Sequence, residues 1–147
     1  MERIAILGLS LGGTDVATLE RFSRPVAAGG AAVWLELADA LAASELVLLS
    51  TCNRLEVCYA RESGDAPQAA DARAVVAVLG LEPRHAELLA FRAGREALRH
   101  LFRVASSLDS LVVGEDQILA QTRAAFARAE ELGLAGVIED IQVWVDT

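Results

Sequence analysis

The sequence predicts an α+β domain: a ferredoxin-like antiparallel sheet with helices packed on one face, plus a C-terminal helix. Two observations predict it. The elements run β-α-β-β-α-β and then continue as helices. The apolar segments 46–50 and 54–60 are separated only by Thr51-Cys52-Asn53, too short for a parallel crossover, so they pair antiparallel or bend locally.

Each element has its own warrant. "RIAILGLSL" (3–11) is a short apolar run ending in Gly12-Gly13, a buried strand followed by a turn. Residues 14–24 are mixed in character and end at Pro25, and the Ala- and Leu-rich stretch 26–43 is expected to be helical. "LVLLS" (46–50) is a strand. "RLEVCYA" (54–60) alternates, with Leu55, Val57 and Tyr59 on one face and Arg54, Glu56 and Cys58 on the other. "RESGDAP" (61–67) is a loop by its turn residues. Residues 69–79 form a helix that Gly80 closes. "LLAFRAG" (88–94) is a last strand. Ala97, Leu98, Leu101, Phe102, Ala105 and Leu108 recur at helical spacing over 95–108, and residues 116–132 make a second long helix.

With 147 residues the chain is long enough for one domain with a real core. No apolar run reaches membrane-spanning length, and the opening MERIAILGLS is too short for a signal peptide, so a cytoplasmic protein is expected. Cys52 and Cys58 are too few for a disulfide framework and lack C-x-x-C spacing; with His85 and His100 far apart, no metal site is expected. The net charge of −8 repels a phosphate backbone over most of the surface, so any contact with nucleic acid is local or made outside this chain.

The chemistry concentrates in "LVLLSTCNRLEVCYA" (46–60), where a thiol sits between a hydroxyl, an amide and a guanidinium inside an apolar run. A free thiol titrates near 8.5 and is only about 3% thiolate at neutral pH, so a catalytic cysteine needs a cation or a base beside it. If residues 52–54 are extended, Cys52 and Arg54 project to the same side, and the fork of the guanidinium can favour the thiolate or grip a carboxylate. Such a site suits acyl transfer to sulfur. Cys52 can equally be an inert, buried small hydrophobe. Cys58 reads as strand packing and His85 as a solvated loop residue. His100, on a helix beside Leu101, Phe102 and Val104, is either a satisfied core-edge histidine or a general acid or base. In "SSLDSLVVGEDQILAQ" (106–121) the polar residues either end one helix and start the next, or line a pocket where unpaired backbone N–H groups hold a carboxylate.

Together, "STCNRLEVCYA", "RHLFRVASSLDSLVVGEDQILAQ" and the opening "ILGLS" resemble the N-terminal catalytic domain of glutamyl-tRNA reductase. The likeness covers residues 1–134 as that domain and leaves 135–147 as a divergent tail. It implies that Cys52 attacks the ester of glutamyl-tRNA(Glu), forming a glutamyl thioester that NADPH reduces to glutamate-1-semialdehyde for tetrapyrrole and haem synthesis. It implies acid–base assistance by His100, binding of the substrate glutamate by Thr51, Arg54 and Ser110, and pocket roles for Glu115 and Gln117. Implied partners are the tRNA, glutamate-1-semialdehyde aminomutase and a second subunit. No Rossmann glycine fingerprint occurs in the 147 residues, so the family's NADPH-binding and dimerisation regions are not expected within them.

The sequence departs from the family at "GLSLGGTDV" (8–16), which lacks the usual histidine, lysine and proline, and at Ser107, Asp116 and Ala120. The altered turn keeps open an alternative, a glutamate- or partner-binding module of the same fold without turnover. Cys52 with His100 would also serve a thiol hydrolase.

Overall fold

A computed structural model describes residues 3–105 and 117–134. The strands are β1 (Ile4–Ser10), β2 (Glu45–Ser50), β3 (Arg54–Ala60) and β4 (Ala90–Ala93). They form one antiparallel sheet in the order β2-β3-β1-β4, the ferredoxin-like arrangement expected. The helices are α1 (Val16–Ala40), α2 (Ala72–Val78), α3 (Arg95–Ala105) and α4 (Gln117–Glu131).

Because side chains alternate across a strand, the register defines the two faces. Ile6, Cys58 and Val47 are opposed across three strands and share one face; Leu7, Val57 and Leu48 share the other. The first two helices lie on the Leu7–Val57 face, as the ferredoxin-like reading requires. Tyr59, on that face, donates its hydroxyl to Asp71 at the start of α2 at 2.6 Å. The second face is covered too: Leu101 and Val104 of α3 and Ala125 and Phe126 of α4 meet Ile6, Val47, Leu49 and Cys58 across it. With helices on both sides, every residue of β3 is buried.

The first helix begins earlier than expected. Asp15 caps it by accepting the Thr18 N–H at 2.7 Å. Leu19, Phe22 and Val26 then run a buried stripe straight through Pro25. Proline lowers helix propensity, but the apolar packing on either side of it prevails. The break comes at Gly30, with φ 53° and ψ −137°, and Val33, Trp34 and Leu37 resume the core face beyond it. Gly80 does close α2: at φ 73° it donates its N–H to Ala77 O, while Leu81 N–H reaches Val76 O.

His85, expected in a solvated loop, lies half-buried on a 3₁₀ turn (Pro83–Leu88) with its ring edge-on to Phe22 at 6.4 Å. Phe102, expected among the apolar neighbours of His100, is instead 40% exposed. The proposed tail 135–147 and the polar connection 106–116 lie outside the described residues.

Asp71 is the electrostatic tie between the sheet and α2. Burial by itself would raise its carboxyl, but the Tyr59 hydroxyl, the Gln68 N–H and Arg61 (3.1 Å) together hold it below its ordinary 3.8. A depressed folded-state value means stability that is present above pH 3.8 and lost as the pH falls through that lower value. Asp71→Asn should therefore lower stability by about 1 kcal/mol at neutral pH. In urea titrations the gap to wild type should narrow as the pH falls below 3.8; a gap that stays constant or widens there would refute this account.

Candidate active site

The β2–β3 connection is a tight three-residue turn, and its first residue organises it. Thr51 Oγ1 accepts the N–H groups of Asn53 (3.1 Å) and Arg54 (3.2 Å), and the Thr51 N–H donates to Arg54 O at 2.9 Å. The turn is tied to the end of β1 through Leu11 N–H to Asn53 O at 2.9 Å. Cys52 stands exposed at its tip. The backbone bends at 52 and 53, so the extended geometry that would set Cys52 and Arg54 on one side is not adopted. The hydroxyl of Thr51 wins those amides for the turn.

Arg54 begins β3 and is buried at 4% exposure. Its Nη1 donates to Glu56 Oε1 at 3.0 Å, and Nε2 of His100, from α3, lies 2.7 Å from the same oxygen. Nε2 donates in this contact when it carries the ring proton, since an ionised carboxylate only accepts. Glu56 is itself 5% exposed and His100 8%. Strand alternation places Arg54 and Glu56 on one face, and α3 lays His100 over it. Glu56 Oε2 is buried and has no hydrogen-bond partner among the described residues.

Sequence reasoning passed over Glu56, the hub of this cluster. The signal was there: an Arg-x-Glu pair on the same face of a strand that is otherwise apolar. Gly8 was missed as well. It is Glu56's partner on β1, and a Cβ there would overlap Glu56 Oε2 and approach Leu55 O to 2.8 Å. The glycine is what leaves room for the carboxylate. Gly8→Ala should cost about 1–3 kcal/mol through overpacking, read as a lowered denaturant midpoint with an unchanged slope; an unchanged midpoint would refute the close fit.

Above the cluster lies an open cleft of about 260 Å³ lined by Gly8, Ser10, Gly13, Glu56, Arg92 and His100, among others. Beneath it the sheet, α3 and α4 close to a void of about 10 Å³ with apolar lining, at the lower limit for one water. Charges buried at this floor interact more strongly than in water. The structure thus brings Arg54, Glu56 and His100 together. Cys52 does not line the cleft; it occupies the turn tied to the β1 end from which Ser10 and Gly13 do. Ser110 and Glu115 lie outside the described residues, and Gln117 is the first residue of α4. Cys58, on the buried side of β3, is pushed up to about 12 by burial and by Glu56 and Glu45, which disqualifies it as a nucleophile.

No dinucleotide site is evident among the described residues. The glycine-containing β–α turn after β1 leads into a helix whose Thr18 N–H is already taken by the Asp15 carboxylate, a poor neighbour for a pyrophosphate.

Fold and site define a class: a ferredoxin-like α+β domain that presents a single exposed thiol on a sheet-end turn, beside a buried guanidinium–carboxylate–imidazole cluster. The family model described as "Glutamyl-tRNAGlu reductase, N-terminal domain" matches residues 7–141. The chain belongs to that family. The glutamyl-tRNA reductase of Exiguobacterium sp. is 36% identical over 143 residues, 92% of this chain and 30% of that protein. Glutamyl-tRNA reductase 2 of Anaeromyxobacter dehalogenans is 38% identical over 134 residues, 91% of this chain and 28% of that one. The solved glutamyl-tRNA reductase from Methanopyrus kandleri superposes with a TM-score of 0.75 at 29% identity, over 99% of this chain and 33% of that one. The chain thus spans about 30% of the length of these curated relatives. No helix among the described residues is long and apolar enough to cross a membrane.

Proposed function

We propose that this chain is the glutamyl-capturing domain of a cytoplasmic glutamyl-tRNA reductase. Cys52 Sγ attacks the ester carbonyl of glutamyl-tRNA(Glu). The C–S bond forms, the C–O bond to the tRNA breaks, and the thiol proton ends on the departing ribose hydroxyl. A glutamyl thioester remains on Cys52. The observation that carries this reading is the exposure of Cys52 on a turn braced by Thr51 and tied to β1, while Cys58 is sealed in the core.

Thr51 in this reading has two duties, holding the turn and flanking the substrate. Arg54 and His100 share the Glu56 carboxylate, and the pair Glu56–His100 is arranged to move a proton in the acyl transfer. Ser110, Glu115 and Gln117 are assigned to the glutamyl pocket on the family motif alone. In the whole protein we expect NADPH to reduce the thioester to glutamate-1-semialdehyde for tetrapyrrole synthesis; none of the described residues is assigned to holding it. Pairing with a second subunit and hand-over to glutamate-1-semialdehyde aminomutase belong to the same expectation.

A specific observation favours the second reading, a binding module without turnover: the guanidinium expected to receive substrate is already engaged by Glu56. One experiment separates the two. The protein is mixed with glutamyl-tRNA carrying labelled glutamate, quenched in acid and digested. Label on the Cys52 peptide supports acyl capture; binding of a glutamyl analogue by calorimetry with no label on that peptide overturns it.

A further inference from the structure

The cleft does not end at His100. It continues into a second open bay of about 360 Å³ lined by Arg92, Glu96, Arg99, His100 and Arg103, and Arg92 and His100 line both. Three arginines recur at every fourth position of α3, Arg95, Arg99 and Arg103, and all three are exposed. At that spacing they form one stripe along the helix, and Arg92 of β4 extends it. Residues 92–103 thus hold four arginines against one glutamate, in a chain whose net charge is −8.

Several arginines elsewhere have acidic partners. Arg24 pairs with Glu20, Arg61 with Asp71, Arg84 with Glu82 and Arg128 with Glu131. Among the described residues Arg92, Arg95 and Arg99 make no such pair. A local cationic surface on an acidic domain concentrates an anionic partner there and repels it elsewhere. Planar guanidinium forks suit phosphate oxygens, and spacing along a helix suits a row of them better than one small anion.

We propose that the arginine face of Arg92, Arg95, Arg99 and Arg103 is the docking surface for the phosphate backbone at the acceptor end of the tRNA. This rests on the acyl-capture reading above, and it supplies what that reading lacks, a place for RNA on an acidic chain. The order of features along the surface fits: the thiol turn, the Ser10–Gly13 end of the cleft, the Glu56–His100 floor, then the arginines. An ester delivered at the first places the phosphates that precede it toward the last. A free phosphopeptide or an anionic membrane would share the chemistry but has no reason to span from the arginines to the thiol.

The test uses uncharged tRNA, so that binding is read without any acylation of Cys52, and titrates affinity against salt by fluorescence anisotropy. Each lost phosphate contact lowers the slope of log K against log[salt] by about 0.7 for a single strand or about 0.9 for a duplex. The double substitution Arg99→Gln with Arg103→Gln should therefore lower the slope by about 1.4–1.8, whereas Arg24→Gln, on the far helix, should leave it unchanged. Glu96→Gln, which removes the acid inside the bay, should tighten binding, and it decides the matter should the double variant not fold. An unchanged slope in the double variant, an equal loss in Arg24→Gln, or no tightening in Glu96→Gln overturns the proposal. Label reaching Cys52 in a variant with an unchanged slope would leave acyl capture standing and remove the docking surface alone.

Discussion

Cys52→Ala will abolish transfer of the glutamyl group to the protein, while Cys58→Ala will leave it intact. The expected loss at position 52 is on the order of 10⁴-fold or more, the scale seen when the nucleophile of a covalent mechanism is removed. The contrast is informative because the two thiols lie six positions apart in one motif and differ in setting alone. Cys52 is exposed on a turn. Cys58 is 4% exposed, packed with Ile6 and Val47 across the register, and pushed up to about 12. Its truncation should register instead as stability, about 1 kcal/mol for one small buried side chain. Measuring label on the digested peptides and a urea midpoint for each variant gives both readouts. If Cys58→Ala removes the label and Cys52→Ala keeps it, the assignment of the nucleophile is wrong.

The second large effect is expected at Glu56. Removing one member of a buried ion pair strips the other charge of that partner, at a cost of about 3–5 kcal/mol. Arg54 is that other charge, held at 3.0 Å and 4% exposure. Glu56→Ala should thus approach the whole stability of a small domain. Glu56→Gln keeps the shape and one acceptor oxygen, so the fold should survive with a smaller loss. Acyl transfer should still fall in Glu56→Gln, because the hydrogen bond that orients His100 Nε2 loses its charge. The discriminating result is this split: a glutamine variant that is folded, binds tRNA with wild-type salt dependence and acylates slowly. Wild-type acylation in that variant would confine Glu56 to a structural part.

Much of the architecture was legible because it rests on local pattern. The alternation in 54–60, the three-residue gap at 51–53 and the Gly80 stop each determine one feature, and the sheet order follows from their sequence. The start of α1 was not legible. Pro25 suggested a boundary, and what overrides it is a buried stripe formed with partners far along the chain. At the site, Cys52 stood out by composition. Glu56 did not, since its weight comes from His100, 44 positions away, and from the missing Cβ of Gly8 on a neighbouring strand. Contacts of that range leave no periodic trace. The arginines of α3 were visible one by one, but their grouping around a bay needed the turn from β4 into the helix.

Strand β3 is buried on both faces along its whole length and bonded to a neighbour on each edge. Its amide protons should be among the last in the domain to exchange with solvent, opening only when the entire sheet does. The turn that carries Cys52 runs directly into that slowest-opening segment. Fraying of the helices or loops can then come and go without displacing it, and the capacity to accept an acyl group should disappear in one step, together with the fold.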